Sequence, residues 1–180
     1  MALYVRLAAV NYATRWALSR NPAFANFQGN GGGGDCTNFI SQCLYAGGWR
    51  MNFWGKYEGL SWYYHSPDDL SKTWASADHF ASFLETSNRG QRCSVNELTF
   101  GDLVSEELPP NGIRHWMMVT GVSSQERYLS YHTIDTLQIS FTDMQKRAAP
   151  NPLTCWKMLD WYPAPHMFND QFIVGTMLRA

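Results

Sequence analysis

The stretch "GGGGDCTNFISQC", which begins at residue 31, constrains this chain more than any other. The glycines make a loop whose backbone can take conformations closed to other residues. Asp35 then stands where a helix N-cap belongs. Cys36, Ile40, Cys43 and Leu44 recur on one helical face, and Gly47-Gly48 ends the run. The spacing predicts a helix over 36–46 with Cys36 in its first turn.

Three chemistries compete for such a turn. A phosphate loop needs Gly-Lys-Ser/Thr entering the helix behind a buried strand, and neither is present. A metal site needs clustered ligands, but Cys36, His65, His79, His115 and His132 form no close pair of the CxxC or HxxxH kind. No metal and no cofactor is expected. A thiol nucleophile has a mechanism: the helix dipole favours thiolate, the free N–H groups of the first turn can hold an oxyanion, and a nearby His can take the thiol proton. The plainer reading of Cys36, a small buried apolar residue, stays open on the turn alone.

Composition narrows the setting. Of 180 residues, 45% are apolar and 16% charged, with a net charge of −1, so an ordered chain with a real core is expected, as a single domain over 1–180. There is no basic excess for nucleic acid and no polybasic patch for a membrane surface. No apolar run reaches the roughly 20 residues of a membrane span. Arg6 and Asn11 break the layout of a signal peptide. The chain is therefore expected in the cytoplasm when made, or exported by a dedicated route, or cut from a longer protein. The eight Trp, nine Tyr and ten Phe read mainly as core. Cys36 and Cys43 are too far apart along one helix to form a disulfide, whereas Cys93 and Cys155 are free to pair.

Helical spacing of Leu3, Leu7, Val10, Ala13 and Ala17 predicts a helix over 3–19, and Trp74, Ala77, Phe80, Ala81 and Leu84 predict another over 71–84. Residues 49–64 read as an irregular aromatic loop. Strands are predicted over 98–104, 116–122, 128–134, 137–141 and 153–161. Helices first and strands after make an α+β chain.

The later segments raise the weight of the nucleophile. "FGDLVSEELPPNGIRHWMMVTGV" places His115 at the mouth of a strand, and "YLSYHTID" supplies His132 on the next. Asp-Cys on a helix, then Gly-Asp-Leu-Val, then His-x-x-x-Val-Thr-Gly, then a strand with His resembles the papain-like amidohydrolases of the NlpC/P60 and CHAP type. Closer still, "AAVNYATRWAL", "NPAF", "GGDCTNFISQCLYAGGWRM", "SWYY" and "SYHTID" resemble the amidase-domain family with a GGDCTNFxSQ signature, from about Tyr4 to Trp161.

The resemblance implies a papain-like NlpC/P60-type fold, with the Cys helix packed on an antiparallel sheet. Cys36 would be the nucleophile and His115 the general base of a cysteine hydrolase. His132, which shares a strand face with Ser130, would orient His115, with Asp135 as the alternative. The Asp35–Cys36 backbone would hold the oxyanion, helped by Asn26 or Gln28. The substrate implied is a peptide amide in bacterial peptidoglycan. A toxin delivered into a rival's periplasm, with a neutralising immunity protein as partner, would reconcile that substrate with the missing leader. An acyl or amide transferase using the same thiol, or a binding module without turnover, are the alternatives.

Overall fold

A computed structural model describes residues 2–28, 34–54, 58–110 and 112–162. In chain order the elements are β1 (Ala2–Leu3), α1 (Arg6–Trp16), α2 (Cys36–Ala46), β2 (Tyr64–Ser66), β3 (Asp69–Leu70), α3 (Lys72–Ala75), α4 (Ala77–Ser87), β4 (Gly90–Cys93), β5 (Leu103–Glu107), β6 (Ile113–Val122), β7 (Arg127–Tyr131), β8 (Thr136–Ser140), α5 (Phe141–Ala148), β9 (Leu153–Met158) and β10 (Trp161–Tyr162). The chain is α+β, as its sequence predicts. Strands β4-β9-β5-β6-β7-β8 form a six-stranded sheet in which every pairing is antiparallel. Among the described residues no helix is long and apolar enough to cross a membrane.

The sheet separates two cores. Trp116, Met118 and Trp156 face the helical side with Phe39, Ile40, Trp62 and Trp74. Met117, Val119, Leu129 and Tyr131 face the other side, where Phe141, Met144 and Ala148 of α5 cover them. Period-two alternation along β6 sends Trp116 and Met118 to one core, Met117 and Val119 to the other. That alternation decides the geometry of the site.

Helix α2 keeps its predicted bounds, but its burial exceeds one face: every residue from Cys36 to Leu44 is buried. The polar members survive there because each finds a partner. Asn38 Nδ2 donates to the Ala25 carbonyl at 2.8 Å, and Trp74 Nε1 donates to Asn38 Oδ1 at 2.8 Å. Ser41 Oγ donates to the Trp74 carbonyl at 2.9 Å and accepts from Trp62 Nε1 at 3.1 Å. Trp62 of the aromatic loop and Trp74 of α3 thus pack onto the polar side of α2, while Phe53 stays exposed.

Helix α1 departs from expectation. Its buried face is Ala9, Val10 and Ala13, whereas Leu7 is 68% exposed and Leu3 lies on β1. Small residues let α1 lie close against α2. Both ends of α1 are tied down. At its start Arg6 Nη1 reaches Asp102 Oδ1 at 2.6 Å, and the buried Asp102 also accepts the Met158 and Thr99 N–H groups, each at 2.8 Å. At its end the Trp16 carbonyl accepts from His132 at 2.8 Å.

The expected helix over 71–84 is split by an extended Ser76. Helix α5 follows β8 where only a strand end was expected. Its buried residues are just Phe141, Met144 and Ala148, too few for a strong periodic signal, and Ser140 caps it by accepting the Asp143 N–H at 3.0 Å. Cys93 and Cys155 are directly opposed on β4 and β9, and both are free thiols.

Candidate active site

Cys36 opens α2, and its thiol is buried. The Thr37 hydroxyl is 3.8 Å from the sulfur. Strands β6 and β7 end their pairing at Met118 and Ser130. Strand β6 is therefore without a β7 neighbour at the level of His115 and Trp116.

His115 precedes Trp116 on β6. The register against β5 slips between the His115 and Ile113 pairings, which leaves Arg114 as an inserted residue. Such bulges re-aim the side chains beside them. The His115 ring meets the Tyr131 ring edge-on at 4.7 Å between centroids, in the second core. It is buried, and its Nε2 has no hydrogen-bond partner.

Burial governs both groups. It pushes the Cys36 thiol up from its ordinary value, against the Trp116, Thr37 and Thr133 hydrogen bonds that pull it down. It depresses His115 to about 4, with the neighbouring Arg114 charge adding to the effect. The helix N-terminus was expected to favour thiolate, yet loss of solvation outweighs the dipole here. At rest the Cys36 thiol and the His115 imidazole are both neutral.

His132 lies elsewhere. It shares the Ser130 face, as expected, but that face looks toward α2, where the ring stacks on Phe39 at 3.9 Å between centroids. His115, with Tyr131, is on the opposite face. Both His132 nitrogens are occupied: Nδ1 by Asp35 Oδ2 and Nε2 by the Trp16 carbonyl, each at 2.8 Å. Both partners are acceptors, so the ring satisfies them together only with two N–H groups. This arrangement gives His132 no nitrogen with which to orient His115.

Asp35 is the centre of that cluster. Its carboxylate accepts from Asn38 Nδ2 at 2.8 Å and from the Phe27 N–H at 3.1 Å, besides His132. Arg20 Nε stands 3.1 Å away, at ion-pair distance but out of hydrogen-bond alignment. Burial pushes Asp35 up, but His132, Asn38 and Phe27 together hold it below its ordinary value. The Asp35 N–H is committed to Thr133 Oγ1 at 3.1 Å, which removes it from the expected oxyanion role. Asp135 is held by Arg20 through two hydrogen bonds of 2.8 and 2.9 Å, within this same cluster. Gln28 is bonded to Arg20 and donates from Nε2 to the Thr133 carbonyl at 3.0 Å, so neither end of its amide is free. Asn26 is exposed, and its Oδ1 closes a turn by accepting the Gln28 N–H at 3.0 Å. Among the described residues no three potential metal ligands gather. His65 pairs with Asp69 and His79 with Ser76, both exposed.

The family model described as "Putative amidase domain" matches residues 3–151. The chain belongs to this amidase-domain family. It is 37% identical over 113 residues to "Uncharacterized protein YhbB" of Bacillus subtilis (strain 168), an alignment that takes in 61% of this chain and 34% of that protein. It is 26% identical over 148 residues to "Uncharacterized protein YjcM" of the same strain, across 76% of this chain and 32% of that protein. The chain thus spans about a third of the length of the curated relatives it matches. No solved structure matches it.

Thr133 is the residue of this amidase domain that sequence reasoning passed over. It was in view within "SYHTID", where the flanking His132 and Asp135 drew the functional reading. Its hydroxyl accepts the Asp35 N–H at 3.1 Å, at the residue before Cys36. An open groove of about 400 Å³, lined in part by Asp78, Glu85, Arg92 and Ile113, lies at the start of β6 and includes neither Cys36 nor His115.

Proposed function

We propose that the chain is a cysteine-dependent amidase that cleaves a peptide amide. The observation that carries this reading is the buried Cys36 thiol in the first turn of α2 together with a buried His115 on β6 whose Nε2 has no partner. As the sulfur attacks the substrate carbonyl, its proton passes to His115 Nε2. The imidazolium then returns the proton to the departing amine. Water, deprotonated by the same nitrogen, hydrolyses the thioester and frees the thiol. Because the resting pair is neutral, the proton moves during attack, not before it. The N–H groups in the first turn of α2 stabilise the sulfur's charge as it forms.

The fold we propose is the papain-like one of the NlpC/P60 type, supported by a buried Cys helix packed on an antiparallel sheet next to a strand that carries His. The third member of the site departs from that pattern. His115 is oriented by the Tyr131 ring edge and the Arg114 bulge, and His132 belongs to the Asp35 cluster. The substrate class we propose is a peptidoglycan peptide, supported by the motif resemblance.

Purified muropeptides incubated with the protein and resolved by mass analysis test the reading. The wild type is expected to release fragments whose mass reports one hydrolysed amide, and Cys36→Ala to lose at least about 10³-fold in rate while keeping its fold. A folded Cys36→Ala protein with near-wild-type turnover would sink the mechanism.

A further inference from the structure

Cys93 and Cys155 face each other across the antiparallel pair β4–β9. Facing residues on such strands have Cα atoms about 4.5 to 5.5 Å apart and send their side chains to the same side of the sheet. That spacing falls within the roughly 4.4 to 6.8 Å that a disulfide spans. The two thiols also share a core: Cys155 is buried in the second one, and the partly buried Cys93 packs against it. The residues beside them, Arg92 and Trp156, are likewise opposed, and they meet on the other side of the sheet, where the guanidinium lies 5.0 Å from the indole centroid. A one-residue slip would exchange the two sides, so contacts on both faces hold this register. Strand β4 has only four residues and forms one edge of the six-stranded sheet, which leaves Cys93 within reach of a small solute.

We propose that Cys93 and Cys155 are a disulfide site, whose bridge closes in an oxidising compartment and staples the edge strand β4 to β9. The oxidant is a small-molecule disulfide such as oxidised glutathione. The Cys93 thiolate attacks one of its sulfurs, and the other half leaves as a thiol. The Cys155 thiolate then attacks the Cys93 sulfur and releases the second half. Two protein S–H bonds are lost and one S–S bond forms, while the small disulfide takes up both electrons and both protons. Burial pushes Cys93 up to about 11 and Cys155 up to about 12, so both are protonated at neutral pH and closure is slow. The closed loop holds β5 to β8 and α5, with Cys36 outside it. A loop of that length strongly restricts the unfolded chain, which stabilises the folded one. The bridge is independent of the chemistry at Cys36. A peptidoglycan substrate, lying outside the reducing cytoplasm, would put the chain where such bridges persist.

The test reads the bridge itself and needs no substrate. The folded protein is incubated with oxidised glutathione, its remaining thiols are blocked with N-ethylmaleimide, and it is digested without reductant for mass analysis. A peptide pair joined through Cys93 and Cys155 is expected, two hydrogens lighter than the sum of its free parts, and dithiothreitol is expected to separate it. The melting temperature of the undigested sample is expected to rise by about 5 to 10 °C on oxidation and to return on reduction. Cys93→Ser and Cys155→Ala should each remove both the joined peptide and the rise. Every variant is compared with itself before and after oxidant, so stability lost to the substitution drops out. Cys93→Ser, at the partly exposed edge position, carries the comparison alone if Cys155→Ala does not fold. Glutathione left on the cysteines with no joined peptide, a bridge through Cys36 or Cys43 in its place, or a joined protein whose melting temperature is unchanged overturns the proposal. Failure to cleave muropeptides would sink the amidase reading, yet the joined peptide and the melting shift would still judge the bridge.

Discussion

His132 rests on Phe39 beneath the sheet, with a carboxylate on one ring nitrogen and a carbonyl on the other. His115, on the neighbouring strand, points to the opposite face, meets the edge of Tyr131, and keeps Nε2 without a partner. Both are almost wholly buried, at 1% and 8% exposure. Burial alone therefore does not tell a structural histidine from a reactive one. The accounting of partners does: a ring with both nitrogens committed holds two segments together, whereas a ring with an uncommitted nitrogen can accept a proton. His132 joins the end of α1 to the start of α2. His115 keeps Nε2 uncommitted.

The largest effect that this contrast predicts is on turnover. His115→Ala should lower kcat by about 10³-fold or more, since the thiol is left without its base. Its melting temperature should fall only by what the lost ring packing on Tyr131 accounts for, because no hydrogen bond through Nε2 is lost. Release of muropeptide fragments, measured beside thermal melting, reads both quantities. A His115→Ala protein that turns over normally would transfer the base role to another group.

His132→Ala should do the converse. It leaves the buried Asp35 carboxylate without one of its donors and the Trp16 carbonyl unpaired. The expected cost is about 3 kcal/mol of folding stability, read by denaturant unfolding. Per folded molecule, kcat should fall far less than in His115→Ala. A stable His132→Ala protein with crippled turnover would restore the orienting role that the resemblance implied.

How much of this was legible beforehand depends on which physical rule carried each point. Helix α2 was readable end to end because Asp35, the periodic apolar residues and Gly47-Gly48 are all local signals. The exchange of Leu3 and Leu7 for Ala9 on the buried face of α1 was not, since helical spacing fits neighbouring faces and only the approach of α2 chooses between them. The pairing of His115 with His132 failed on strand parity. Sequence places them on adjacent strands, but whether two such residues share a face depends on the register, here Met118 opposite Ser130, which no local signal specifies. Thr133 was hidden for another reason: its φ is +88°, and positive φ is announced by glycine or asparagine, whereas a β-branched residue announces the reverse.

Acid separates the two histidine environments in a third way. His115 has its folded value depressed from 6.5 to about 4. Below pH 6.5 the unfolded chain gains a proton there that the folded chain refuses. Stability contributed by the neutral ring is thus full above 6.5 and lost as pH falls toward 4, by roughly 3 kcal/mol in all. The Asp35 carboxylate, held below 3.8, loses its contribution only at more acid pH. His115→Gln should therefore flatten the stability profile between pH 6.5 and 4 and leave the steeper fall below it. A profile that His115→Gln does not change would show that the ring is solvated and not held neutral by burial.

The smallest effect belongs to Asp135, the other candidate for orienting the base. Its two hydrogen bonds to Arg20 join side chains that are 34% and 21% exposed, so solvent screens the pair. Partly exposed ion pairs of this kind contribute at most about 1 kcal/mol. Asp135→Ala should lower stability by no more than that, with a difference from the wild type that shrinks as salt is added. Arg20 would remain beside Asp35, so the buried carboxylate keeps a cation near it, and turnover should be unchanged. The two histidine environments make this a sharp test. If Asp135 acted on His115, its removal would lower kcat and shift the acid limb of the pH–rate profile without moving the melting temperature. A tenfold loss of kcat at constant melting temperature would join the two environments into one working unit, and the division between a structural His132 and a reactive His115 would no longer hold.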